Sequence, residues 1–448
     1  MSDWVAAELA ACQRHDVRHT KRLARLLDRL SERPVGSMPT AWHGWAETGA
    51  AYRFLPNPHM DAQEILSGHP HATLERIRAQ EIVLLVQDTT FLHDGTTQPK
   101  AGMGTVKIKT REESLRHPPV VFTPERINCG GVGMQVWQRP EQPVAQQRKR
   151  KPIAEKERYR WREGYQGAGK IKQACPGTLG VNMADREGDI QEWLVDAMCR
   201  EPSQRAEVIM RAKGHRRLVP GAAPRYVWAA MQQTAALGTL TIELARQPER
   251  PPRSATLSVT ATPVTFHGAR RLGGTLPPVT VSAVYAQEPS PPPGEEPVEW
   301  LLLTSLPVTD FLRACLVVPW YRCRWEIELF FRVLKPGCQI EQWRMQTEQR
   351  LLHALAIYVI VAWRIHHSTM ASRASPEVSC AVIFEPREWQ TLSTMQQHCH
   401  PPPTPPPLRE MVRSLAQFGG FLARRGDGEP GIKAIWQGYQ RLTTSSMP

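Results

Sequence analysis

The sequence has 448 residues, 41% of them hydrophobic, which is enough for two or three units with real cores and far beyond a small disulfide-stapled domain. Lysine and arginine number 56 against 43 acidic residues, a formal net charge of +13 that favours a polyanionic partner, DNA or RNA. Nine cysteines without a CxxC pair suit a reducing compartment and read as core residues, no apolar run approaches the ~20 residues of a bilayer span, and the first residues lack a basic-then-apolar leader, so a cytoplasmic protein without a membrane partner is expected.

Leu23, Leu26, Leu27 and Leu30 recur at helical spacing between Asp16 and Arg33, flanked by Arg18, Lys21, Arg22 and Arg25, and predict a basic helical unit. A short helix near Ala46 to Tyr52 and the turn-rich LPNPH lead towards a first strong strand, EIVLLVQDTT at 81–90. Further strands are expected at Val120 to Phe122, at Val132 to Trp137, and at TLGVNMAD, which ends on Asp185. REGDIQEWLVDAMCRE then reads as a helix and VIMRAKG as another strand, so the order predicts a mixed α/β sheet.

From about 218 to 300, short apolar runs broken by Pro and Gly predict an antiparallel β insertion, closed by WLLLTSL. The pattern is helical from Asp310 to about Leu334, and HALAIYVIVAWRIHHS at 353–368 reads as a buried packing helix, too short to span a membrane. HPPPTPPPL at 400–408 reads as a semi-rigid linker into a last helical stretch. The divisions expected are 1–75, 76–370 and 371–448.

Three acidic residues stand where chemistry is built. Asp88 follows an apolar strand near its carboxyl end, the side where open sheets form sites; alone it could be a turn aspartate. Asp185 ends a strand before a helix, and alone could be a helix cap. Glu328 lies in a helical run with Tyr321, Arg324 and Lys335, and at about 100° per residue the four fall within about 60° of one another. Pro336 puts Lys335 at a frayed end. Three carboxylates offer hard oxygen ligands to Mg²⁺, with Mn²⁺ as substitute, and suit phosphoryl transfer, with Tyr321, Arg324 and Lys335 on flanking phosphates.

The spacing Y-x-x-R-x-x-x-E-x-x-x-x-x-x-K at Tyr321, Arg324, Glu328 and Lys335 resembles the signature of the insertion-sequence-four transposase family. QDTT at 87–90, DREGDIQEWL at 185–194, EWLLLTSLPV at 299–308, GAAYRFLPNP at 49–58 and LAQFGGFLARRGDGEPG at 415–431 extend the resemblance over nearly the whole chain. It implies a ribonuclease-H-like core interrupted by the β insertion, an N-terminal DNA-binding unit and a C-terminal dimerisation region. It further implies cut-and-paste transposition: metal-dependent nicking, hairpin formation and strand transfer on double-stranded DNA carrying terminal inverted repeats, by a nucleoid-associated homodimer.

The same resemblance makes Asp88, Asp185 and Glu328 the metal ligands and sets Trp300 against a flipped base, for which a strand-end core tryptophan is the alternative. Arg211 and Lys213 resemble DNA-contacting residues, and Arg18, Arg22 and Arg53 are candidates for the terminal repeat. Two rival functions share these features: a nuclease or resolvase on the same core, and a repressor derived from a transposase.

Two motifs are set aside. GYQGAGK at 164–170 imitates a phosphate-binding loop, but Ile171 stands where Ser or Thr is needed and no strand precedes it. His398, Cys399 and His400 have no second ligand pair at zinc spacing.

Overall fold

Five aliphatic residues in a row, Ile82–Val86, form strand β1, and all but the first are buried, as befits a strand covered on both faces. The computed structural model describes residues 1–12, 17–32, 34, 45–58, 60–93, 112–116, 120–138, 159–213, 215–244, 251–271, 274–340, 347–397 and 400–445. By its own contacts the chain forms two units, one of Gln80–Asp88 and Glu141–Arg324, the other of Met1–Ala79, Thr89–Pro140 and Trp325–Pro448.

In the first unit β1 pairs in parallel with β2 (Leu179–Ala184), and β2 in parallel with β3 (Glu207–Arg211). β4 (Gly238–Leu244), β5 (Arg253–Phe266), β6 (Val279–Gln287) and β7 (Glu299–Thr304) complete a sheet in the order β1-β2-β3-β7-β6-β5-β4. β7 runs antiparallel to β3, and every later pairing is antiparallel, so the expected β insertion is present and extends the same mixed sheet.

Helices α1 (Tyr159–Ala174) and α2 (Gln191–Met198) meet through Trp161 and Tyr165 against Trp193, with ring centroids 6.4 and 5.8 Å apart. GYQGAGK lies inside α1 and makes no phosphate loop. Its Gly164 has a packing reason. A Cβ there would stand 2.1 Å from Oε1 of Gln87, whose amide is fully buried and donates to Asn182 Oδ1 at 2.7 Å. Gly164→Ala gains up to about 1 kcal/mol of helix propensity but overpacks a bonded amide, typically costing about 1–3 kcal/mol, so a net loss is expected. Thermal unfolding checks it: a Tm at or above wild type would show that Gln87 yields freely.

In the second unit the helix Val17–Glu32 buries Leu23, Leu26, Leu27 and Leu30 as its periodicity requires. The expected strand at 81–90 ends at Val86, and Thr89–His93 belongs to a separate small sheet with Glu112–Arg116 and Gln135–Gln138. Of the strand expected at Val132 to Trp137 only the second half is strand, within Gln135–Gln138; a separate strand, Asn128–Gly131, precedes it, and Gly133 between them has φ 151°. Asn128–Gly131 pairs with Val120–Phe122 as a hairpin. The short helix Asp3–Leu9 is tied down through Glu8, whose buried carboxylate meets His69 at 2.5 Å and Arg76 at 2.7 Å. Burial alone would raise the Glu8 carboxyl, but these partners outweigh it and hold it below its ordinary range.

The apolar helix around 353–368 is longer than its sequence pattern suggests, running Glu348–Ala374 from a Thr347 cap. Among the described helices it alone is long and apolar enough to cross a bilayer, and 89% of its apolar window is buried inside the protein. The proline run is fastened at its end: Cys380 N donates to Pro406 O at 2.9 Å and Leu408 N to Val378 O at 2.7 Å, which tie it to the segment Val378–Cys380. Six of the cysteines are buried as expected, whereas Cys199 is exposed and Cys315 half-buried. His398 and Cys399 lie outside the described residues.

Candidate active site

Asp88 and Asp185 are brought together by strand register. Val86 pairs with Met183 across the parallel strands β1 and β2, and Gln87 N donates to Met183 O at 3.1 Å. Two residues beyond that pair on each strand stand Asp88 and Asp185, at neighbouring carboxyl ends that lie about 4.8 Å apart in a sheet. Beneath them Gln87 and Asn182, both fully buried, form an amide pair, and Asn182 also donates to Leu85 O at 3.2 Å. Sequence reasoning missed this pair, whose only mark is a polar residue inside each otherwise apolar strand.

Each aspartate also has a local task. Asp185 caps the 3-10 turn Arg186–Gly188, accepting from Glu187 N at 2.7 Å, so the cap reading of this residue is correct as well. Asp88 Oδ2 lies 3.5 Å from Nη1 of Arg324. Asp189, four residues after Asp185, is buried; it receives Lys213 N at 2.6 Å and pairs with Arg216 at 2.7 Å, fixing the loop that follows β3.

Cations gather beside these carboxylates. Arg211 donates to Glu299 O at 3.1 Å, and its buried Nε has no hydrogen-bond partner among the described residues. Burial, then Arg186 and Arg324, lower the Arg211 pKa, the signature of guanidinium groups crowded where an anion would relieve them. Arg186 is a member that sequence reasoning missed. Tyr321 is 1% exposed, and burial pushes its phenol up, opposed by Arg324 and Arg211. The Lys213 ammonium nitrogen is buried as well.

Trp300, at the start of β7 opposite Ala286, is 7% exposed and meets Tyr321 edge-on with centroids 6.3 Å apart. Of the N-terminal candidates, Arg18 and Arg53 are exposed and Arg22 is half-buried.

The helical run bearing the signature is not continuous, which corrects the expected single face. Helix α3 (Phe311–Arg322), capped by Asp310, gives way to a 3-10 turn at Cys323–Trp325, then to α4 (Glu326–Arg332) and a π-type turn at Val333–Gly337. A 3-10 turn advances about 120° per residue, so constant 100° steps do not relate Tyr321 to Lys335. Pro336 explains the last break: it offers no N–H, and the bond Cys338 N to Val333 O at 2.7 Å spans five residues. Glu328 and Lys335, both half-buried, belong to the second unit, whereas Asp88, Asp185, Tyr321 and Arg324 belong to the first. Among the described residues no group of three His, Cys, Asp or Glu side chains is placed to hold a metal ion.

Comparison with known families agrees with this mixed sheet. Residues 133–364, more than half of the chain, match the model described as transposase DDE domain. Residues 1–60 match transposase DNA-binding and 360–446 the transposase Tn5 dimerisation domain. The chain belongs to the DDE transposase family, in its Tn5-like branch, and the insertion-sequence-four resemblance is consistent with that membership. Its core is thus ribonuclease-H-like, its class that of DNA-cleaving and strand-transferring enzymes dependent on divalent metal, and its family modules serve DNA binding and dimerisation. Asp185 and Glu328 fall within the matched DDE segment and Asp88 precedes it. Among solved structures the chain is similar to a piggyBac transposase in a synaptic complex with hairpin DNA, at 9% identity and a TM-score of 0.36 over 83% of this chain and 72% of that one.

Proposed function

We propose that the chain is a cut-and-paste transposase that nicks, hairpins and transfers transposon ends with two Mg²⁺ ions held by Asp88, Asp185 and Glu328. The observation that carries this reading is the register that sets Asp88 and Asp185 side by side at the carboxyl ends of β1 and β2. The donor set fits the metal: carboxylate oxygens are the hard ligands that Mg²⁺ and Mn²⁺ prefer, and capping engages only Oδ1 of Asp185. Bound there, two such ions supply Lewis-acid activation of the attacking water or 3′-hydroxyl and charge relief at the leaving oxygen.

The rest falls to the chain's own side chains. Arg211 and Arg324, joined by Lys335 and Lys213, offer positive charge to phosphates flanking the scissile bond, and Tyr321 is the base on which Arg324 rests. Arg18, Arg22 and Arg53 are assigned to the terminal inverted repeat, and residues 371–448 to contact between two copies. Trp300 is assigned to the base displaced in hairpin formation, a role that requires its buried indole to be uncovered.

The test uses labelled DNA carrying the inverted repeats that flank the coding sequence. Cleavage is expected in Mg²⁺ or Mn²⁺, with binding but no cleavage in Ca²⁺, whose larger radius and looser coordination spoil a tight two-ion geometry. Equal turnover in EDTA would overturn the assignment.

A further inference from the structure

Arg126 breaks a local rule. It closes the turn between Val120–Phe122 and Asn128–Gly131 with φ 71°, the left-handed region, which strains a residue other than glycine. The turn is well bonded, with Thr123 N to Ile127 O at 2.9 Å and Arg126 N to Thr123 O at 2.8 Å, and Gly or Asn would fit it with less strain. An arginine there calls for a compensating contact, and its guanidinium supplies one: Nη1 lies 3.2 Å from Oε1 of Glu326 on α4.

Glu326 is buried, its side chain 4% exposed, and across it stands the long helix Glu348–Ala374, α5, with His366 Nε2 at 3.9 Å. His366 is sealed between Phe122 and Phe330, and burial, helped by Arg373, pushes its pKa down to about 3. It is neutral at working pH, whereas Arg126 carries a full charge at 3.2 Å from Glu326, and Arg373 also feels the Glu326 carboxylate. Glu326 and Glu328 are two residues apart on α4, which turns them about 200° from one another. One carboxylate therefore anchors the helix inward while the other faces away, and any roll of the helix about its axis swings Glu328.

We propose that the Arg126–Glu326 ion pair is a positioning device for Glu328, in which a turn residue held in a strained conformation locks the rotation of α4. This rests on the reading of Glu328 as a metal ligand. Partners that orient a ligand without touching the ion typically govern metal affinity or activity by 10- to 100-fold, the size of effect expected here.

The experiment titrates Mg²⁺ in the cleavage assay for Arg126→Gly, Arg126→Lys and Glu326→Gln, with Glu328→Ala alongside. Arg126→Gly relieves the backbone strain, so its fold should survive, while the Mg²⁺ needed for half-maximal cleavage should rise about 10- to 100-fold. Metal-free binding of end DNA should stay within about threefold of wild type, a difference below 1 kcal/mol. Glu326→Gln should give the same shift, and Arg126→Lys, which keeps the charge, should recover most of it. An unchanged Mg²⁺ dependence in Arg126→Gly and Glu326→Gln, or a lowered Tm with a lower maximal rate alone, would overturn the positioning role if Glu328→Ala is inactive. Cleavage by Glu328→Ala would instead overturn the site on which the proposal rests.

Discussion

Asp88→Asn, Asp185→Asn and Glu328→Gln are each expected to reduce cleavage of transposon-end DNA by roughly a thousandfold or more, beyond the 10- to 100-fold typical of an outer-sphere partner. The amides are chosen because the structure gives two of these residues a second task. Asp185 caps Glu187 N, and its replacement by Ala would remove about 1 kcal/mol of cap energy together with the metal ligand. Asn caps a helical turn nearly as well as Asp, so Asp185→Asn removes charge and metal affinity with little change in the turn. Asp88→Asn keeps an acceptor for Arg324 while losing the ionic attraction. The three variants should therefore unfold near the wild-type temperature and bind end DNA, yet leave it uncut. Comparable cleavage by any of them would remove that residue from the metal site, and a shared loss of DNA binding would point to a fold defect instead.

The two aspartates stood out as candidates because a run of aliphatic residues ending on an acid is a local pattern, but the parallel pairing that sets them side by side joins strands far apart in the chain and has no local mark. Glu328 was singled out by its spacing to Tyr321, Arg324 and Lys335. What spacing could not give is the course of the helix between them. Pro319 and Pro336 were visible, but whether a proline kinks, tightens or widens a helix depends on the packing around it. The Arg126–Glu326 pair was illegible for a different reason: its members lie 200 residues apart, and a turn arginine gives no sign of its partner. The burial of Trp300 and Tyr321 also depends on tertiary packing, since aromatic residues at a strand start and in a helix are equally compatible with surface and core. The fastening of the proline run was out of reach because composition reports stiffness, not whether carbonyls such as Pro406 O have found donors.

Trp300 is where packing and chemistry compete, and the choice of substitution decides which is read. At 7% exposure, edge-on to Tyr321, the indole fills core volume, so Trp300→Ala should cost about 3–5 kcal/mol of stability and lower Tm by several degrees. That loss alone would slow every step and says nothing about DNA. Trp300→Leu retains much of the apolar volume but has no face on which a base can stack, and Trp300→Phe retains a smaller face. If the indole is uncovered to hold the displaced base, stacking contributes about 1–3 kcal/mol to the hairpin transition state, a fivefold to hundredfold rate effect. Assayed well below the Tm of each variant, Trp300→Leu should therefore accumulate nicked ends, with hairpin formation slowed at least fivefold more than nicking, and Trp300→Phe should fall between it and wild type. The species are resolved on a denaturing gel over a time course. Equal slowing of nick and hairpin in Trp300→Leu would show that the indole serves only to pack β7 against Tyr321.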